Sequence, residues 1–247
     1  MSEKVFITGA SSGIGAALAI EFAKRGATLG ISARRSEKLQ SIAQLCKESG
    51  AADVFTYTVD VTNQDSSEST AKDFIASANG IDIIIANAGV AYSDKISSGE
   101  ATQINQVFST NVLGVTNSII PFVPTMKENS SGKIVIISSI ASFRPIAFHG
   151  GYSASKSAVR MLADSWRMSL KKYNIQLTAI CPGFIVSEMT DENKFPMPFL
   201  LETEDAARKM VKAIDNGKKT YILPWQIKMI LYAVSYTHLT LPTNREV

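Results

Sequence analysis

Tyr152 and Lys156 stand four residues apart in a stretch with helical periodicity, which puts both side chains on one helix face. A free phenol ionises near pH 10, too high for proton transfer at neutral pH. An ammonium group fixed beside it would favour the phenolate and lower that value. The spacing therefore suits an acid/base pair in which one group moves a proton and the other tunes it. A second chemical feature lies near the N-terminus, in Thr8-Gly9-Ala10-Ser11-Ser12-Gly13-Ile14-Gly15. It joins the apolar run Val5-Phe6-Ile7 to an amphipathic segment. A strand, a tight turn and a helix are expected in that order, with the helix N–H groups and positive dipole end aimed at the turn. Gly9, Gly13 and Gly15 leave room for a phosphate, and Ser11, Ser12 and Ile14 complete the turn. A dinucleotide pyrophosphate site follows as the expectation.

The elements that must hold these residues alternate. Strands are expected over 4–8, 28–32, 53–59, 81–86, 133–138, 175–181 and 220–223. Helices are expected over 16–24, 37–49, 65–78, 102–126, 153–172 and 203–216. The strands are short, continuous apolar runs, as in a parallel sheet covered on both faces. The fold class is α/β: a single-domain, Rossmann-like, doubly wound parallel sheet of about seven strands. Ligands of such sheets bind beyond the C-terminal strand ends, where these motifs fall.

The glycine spacing, with Tyr152-Ser-Ala-Ser-Lys156 downstream, resembles the short-chain dehydrogenase/reductase family over about residues 4–225. The resemblance implies a nicotinamide-dependent oxidoreductase, with Tyr152 as proton donor and Lys156 also binding the nicotinamide ribose. Ser139, thirteen residues before Tyr152, matches the family's catalytic serine. Ser138, one residue earlier, is the alternative on the opposite face of the strand. Asn111, in Thr110-Asn111-Val112, matches a helix asparagine that holds a water between lysine and solvent. Asp60-Val61 would lie beside the adenine. Asn87-Ala88-Gly89 would line the adenine ribose and steady the sheet, with Ala86 a mild departure from the family pattern. Pro182-Gly183-Phe184-Ile185 would meet the carboxamide through the Ile185 amide, and Ser187 stands where the family often has Thr.

The second strand ends in Ile31-Ser32-Ala33-Arg34-Arg35, without the acidic residue that would bind both ribose hydroxyls of NAD. Guanidinium groups suit a phosphate. NADP(H) is therefore the expected cofactor, with Arg34 the main 2′-phosphate partner and Arg35 secondary. The segment 187–201 carries Met189, Phe195, Met197, Phe199, Leu200 and Leu201, which either cover an apolar carbonyl or alcohol substrate or pack on the protein itself. His149 fits a surface or substrate-loop position.

Composition narrows the alternatives. Apolar residues make up 45% of the 247, which disfavours disorder, and the net charge of +3 comes without a basic block that would suit nucleic acid. The two cysteines, Cys46 and Cys181, read as reduced buried thiols, and a metal site is not expected. The reading is of a cytoplasmic chain with no apolar stretch long enough to span a membrane, although 227–234 could touch a membrane surface or another copy. The resemblance implies a homodimer or homotetramer. Residues 226–234 read as the start of a truncated helix. The tail 235–247 changes character and resembles a translated sequencing-adaptor string, so a non-native tail is expected there. Two other functions remain open: a non-catalytic NADP(H)-binding regulator, and a nucleotide-sugar epimerase or dehydratase. The glycine spacing and length disfavour the epimerase.

Overall fold

The computed structural model describes residues 2–94, 96–191 and 196–240. Seven parallel strands form one sheet: β1 (Lys4–Thr8), β2 (Thr28–Ala33), β3 (Asp53–Thr58), β4 (Ile83–Ala86), β5 (Gly132–Ile137), β6 (Ile175–Pro182) and β7 (Thr220–Leu223). Their order is β3-β2-β1-β4-β5-β6-β7. The chain runs outward from β1 to β3, then returns to place β4 on the other side of β1. Between β1 and β4 the order reverses, and a crevice opens there at the C-terminal strand ends. The strand expected over 81–86 begins only at Ile83; at its start the Lys4 amide donates to the Asp82 carboxylate at 2.7 Å, while the Asp82 amide donates to the Lys4 carbonyl at 2.9 Å and the Asp82 carbonyl accepts from the Lys133 amide at 2.8 Å.

Alternate strand residues feed two cores. Val5, Ile7, Ile83 and Ile85 face α1 (Gly13–Ala23), α2 (Ser36–Glu48) and, beyond them in sequence, the helix Thr203–Asp215. Phe6, Ile84, Ile134 and Ile136 face α3 (Gln64–Ala78) and the long helices of the other layer. Every central strand is buried on both sides, which explains its unbroken apolar character.

The helix expected over 102–126 is not continuous. It comprises α4 (Thr102–Phe108), a π-helical turn at Ser109–Leu113, α5 (Gly114–Ile119), a 3₁₀ turn at Ile120–Phe122 and α6 (Val123–Glu128). Pro121 and Pro124 lack N–H donors and account for the 3₁₀ step. Contrary to the sequence expectation, Thr102–Glu128 is long and apolar enough to cross a membrane by length and composition. Here Val115, Ile119, Phe122 and Met126 on this segment pack against the sheet.

The next helix, α7 (Gly150–Leu170), carries Tyr152 and Lys156 and starts three residues earlier than expected. A short α8 (Glu188–Asp191) and α9 (Thr203–Asp215) follow β6, and α10 (Trp225–Thr240) follows β7. No break falls near Val234. The first helix-breaking residue beyond it is Pro242, so α10 continues into the segment read from sequence as tail. Residues 241–247 lie outside the described residues, as does Phe195 of the expected apolar loop.

Gly30, in the middle of β2, sits under an aromatic cluster in which the Phe6 and Phe74 rings meet edge to face at 5.2 Å. A Cβ at Gly30 would lie 2.4 Å from the Phe6 ring and 2.6 Å from Phe74. Gly30→Ala should overpack this layer and lower stability by about 1–3 kcal/mol, read as a drop in the urea midpoint at unchanged slope.

Candidate active site

The turn after β1 takes its shape from contacts that exclude side chains. Gly9 has φ +66°, and a Cβ there would come 2.7 Å from Ala88 Cα. A Cβ on Gly15 would come 2.4 Å from the Gly9 carbonyl oxygen. Ser12 precedes α1, but its side chain makes no capping bond to the helix. The first-turn amides, without a capping side chain and with the helix dipole behind them, line the cleft as a cradle that fits a pyrophosphate.

The opposite wall is tied to this turn through Asn87 and Ala88. Their amides donate to Thr8 Oγ1 at 3.1 and 3.2 Å, and Asn87 Nδ2 donates to the carbonyls of Thr8 and Gly9 at 3.0 and 3.1 Å. Asn87 thus locks β1 to β4 with its side-chain amide. Behind Gly89, Asn111 in the π-helical turn is fully buried. Its Oδ1 accepts from the Val90 amide at 2.8 Å, and its Nδ2 donates to the Val90 carbonyl at 2.9 Å and Ser155 Oγ at 3.0 Å. The resemblance implied a water-holding role. In this geometry the side chain braces the 87–90 loop against α7.

Ser138 and Ser139 divide two tasks, as strand alternation anticipates. Ser138 Oγ donates to the Lys156 carbonyl at 2.8 Å and ties α7 to the end of β5. Ser139 Oγ accepts from the Ala141 amide at 3.1 Å. Tyr152 and Ser139 line the same cleft. Lys156 is buried, with Nζ donating to the Ile137 carbonyl at 2.9 Å and lying 5.8 Å from the Tyr152 ring centroid.

The expected lowering of the phenol pKa is not what this geometry produces. Burial raises the Tyr152 value, and the Ser139 hydroxyl acts in the other direction. Burial brings the Lys156 ammonium down to about 8, with a smaller opposing effect from Cys181. The physical reason is that both charged forms lose water, while the ammonium points at a backbone carbonyl instead of the phenol.

The cleft measures about 470 Å³ and runs from the glycine turn, past the 87–90 loop, to Ser139, Tyr152 and Pro182–Ile185. Its wall contains all of the expected cofactor and catalytic residues except Gly15, Asn111 and Lys156, which support it from behind. Residues 3–196 match the sequence profile of the short chain dehydrogenase family. The chain belongs to that family.

An "uncharacterized oxidoreductase" of Myxococcus xanthus is 37% identical to this short-chain dehydrogenase over 221 residues, covering 90% of this chain and 87% of that one. Among solved structures, an alcohol dehydrogenase from the archaeon Thermococcus sibiricus, complexed with 5-hydroxy-NADP, superposes with a TM-score of 0.80 at 26% identity. It covers 90% of this chain and 96% of its own. A short chain dehydrogenase from Mycobacterium paratuberculosis bound to NAD gives 0.81 at 25% identity, covering 89% and 95%. The family assignment makes this chain an oxidoreductase, and these structural neighbours bind nicotinamide cofactors of both kinds.

At the outer rim of this dehydrogenase, Arg34 is largely exposed and 3.9 Å from Asp60. Burial alone would raise the Asp60 carboxyl pKa, but hydrogen bonds from the Thr62 amide and hydroxyl, with Arg34, bring it below its ordinary value. Arg35 reaches Ser11 Oγ at 3.0 Å, Ser12 Oγ at 2.7 Å and Glu188 at 2.6 Å. At the far end, Ser187 Oγ donates to the Ile185 carbonyl at 3.3 Å, and Thr190 Oγ1 accepts from the Ser187 amide at 2.9 Å. His149 and Met189 line the cleft, Phe199 and Leu200 are exposed, and Leu201 packs on the core. Of the apolar segment, Leu201 thus takes the packing role, and Met189 stands in the cleft wall. Cys46 and Cys181 are free and buried, and the described residues contain no cluster suited to a metal.

Sequence reasoning named Thr8 in the glycine turn without a role for its hydroxyl, and missed three contributors: Asp94, Glu188 and Thr190. Asp94 accepts from the Gly151 amide at 3.0 Å and caps α7 just ahead of Tyr152. Only the Ser187-x-x-Thr190 spacing offered a local signal, that of a hydroxyl turn. Asn111→Ala would remove the partner of the partly buried Val90 amide and carbonyl and the bond to Ser155. Its stability should fall by about 1–3 kcal/mol, measured by urea unfolding, while Val112→Ala on the same turn should cost less.

Proposed function

We propose that this chain transfers a hydride between NADP(H) and a carbonyl or secondary alcohol, with an apolar substrate favoured. One observation carries the reading: Tyr152 and Ser139 face the same cleft that begins at the uncapped helix N-terminus after β1. When bound, the nicotinamide supplies the hydride chemistry at the substrate carbon. Tyr152 holds the proton that goes to the substrate oxygen, and Ser139 orients that oxygen. Lys156, whose Nζ donates to the Ile137 carbonyl at 2.9 Å, would hold the ribose hydroxyls of the cofactor and favour the phenolate of Tyr152. Pro182, Gly183 and Ile185 close the nicotinamide end of the cleft. Arg34 and Arg35 at its other end, with Ala33 in place of an acid, support the 2′-phosphate. Met189 supports the apolar preference from the wall of the cleft.

Pairing between copies fits the same reading. Phe108, Leu113 and Ile120 from the α4–α5 segment and Met161 and Met168 from α7 are exposed apolar residues on the two helices through which the family resemblance implies association.

A screen of carbonyls and alcohols with NADPH, followed at the nicotinamide absorbance, tests the activity. Tyr152→Phe should lose roughly 10²–10⁴-fold in kcat and still bind NADPH. Near-normal turnover would overturn the assignment, and tight NADPH binding without turnover of any carbonyl would favour the regulator. The wild type should show a higher kcat/KM with NADPH than with NADH, and Arg34→Ala should erode that preference roughly tenfold. A wild-type preference for NADH would overturn the cofactor reading.

A further inference from the structure

Three donors from two segments, the turn after β1 and the start of α2, meet at the phosphate end of the cleft, and a carboxylate from the opposite wall already occupies them. Glu188, in α8, lies 153 residues beyond Arg35 in the chain. Arg35 Nη1 donates to its Oε2 at 2.6 Å, and Ser12 Oγ donates to the same oxygen at 3.2 Å. Lys38, on the first turn of α2, donates to Oε1. Both carboxylate oxygens are thus engaged by two cations and a hydroxyl. Lys38 first, then Arg35, hold the carboxyl down at about 2, so the group is anionic throughout the working range.

A phosphate monoester asks for the same partners, namely clustered cations with a hydroxyl donor, and it carries up to twice the charge. Ser12, Arg35 and Glu188 all line the cleft, so the carboxylate stands in the space a cofactor phosphate would enter. Two anions cannot share the three donors without repulsion. The pairs are also about half-exposed, which makes each one weak and readily exchanged. We infer that Glu188 is a tethered competitor for the 2′-phosphate of NADP(H), seated in the free protein on Ser12, Arg35 and Lys38. Its charge weakens binding of the phosphorylated cofactor relative to NAD(H), and Lys38 is a third cation of the phosphate site. This rests on the NADP(H) reading above.

Calorimetric titration of NADPH and of NADH into the wild type, Glu188→Gln and Glu188→Ala at low ionic strength tests it. Both variants should tighten NADPH by roughly fivefold and leave NADH within about twofold, and added salt should shrink the gain. Lys38→Gln in the Glu188→Gln background should weaken NADPH by a similar factor. An unchanged or weaker NADPH constant in both Glu188 variants overturns the competition, and so does equal tightening of both cofactors, which would mark Glu188 as a general obstacle. An unchanged constant on removing Lys38 overturns its part in the site. The wild-type ratio separates the two readings. If the wild type prefers NADPH and the Glu188 variants do not move it, only the competitor idea fails. If the wild type prefers NADH, the cofactor reading itself fails, and the competitor idea falls with it.

Discussion

The molecule depends on how closely two chain reversals approach each other at the centre of the sheet. The turn after β1 and the loop after β4 come near enough that a single methyl group on Gly9 would collide with the Ala88 backbone. Asn87 and Thr8 turn that proximity into a lock of four hydrogen bonds. This junction is also where the strand order reverses, so the lock fixes the width of the crevice while leaving its floor free of side chains. A larger residue at either glycine would remove the hollow and the lock together.

The reactive groups are held by a second set of constraints, and most of these come from outside the cleft. Ser138 ties the Lys156 carbonyl to the end of β5, Asn111 ties the 87–90 loop to Ser155, and Asp94 caps the start of α7. Tyr152 is therefore carried by a helix fastened at its N-terminus and along its first turns. The π-helical turn at Asn111 has a place in this scheme. An extra residue in the turn lets a buried amide reach two neighbouring backbone groups at once, where a regular helix would present it differently. Desolvation is the accompanying cost, and it moves the phenol and the ammonium in opposite directions. Without cofactor, neither group is electrostatically tuned by the other.

Much of this was legible in the chain because it rests on local pattern. The apolar strands, the glycine turn and the four-residue Tyr–Lys spacing are short-range signals, and each maps onto one element. What was not legible depends on contacts between distant residues. Nothing near Asp82 says that its carboxylate will take the Lys4 amide, and nothing near Asn111 says that both ends of its amide will be spoken for. The breaks within 102–128 were partly visible in Pro121 and Pro124, but apolar periodicity across them read as one helix. Glu188 was passed over because one of three acids in the loop, with Asp191 and Glu192, carries no signal until Arg35 and Lys38 are placed beside it.

Helix α10 touches this arrangement at one point. Ile227 on its first turn sits so close to Gly183 that a Cβ there would come within 2.6 Å of the isoleucine methyl. Gly183 in turn forms part of the cleft wall next to Ile185. The C-terminal region therefore acts as a wedge beneath the ledge that Gly183 contributes to the cleft. Any change that shifts the seating of that helix, even far from Tyr152 and Ser139, would tilt the ledge and reshape that end of the cleft.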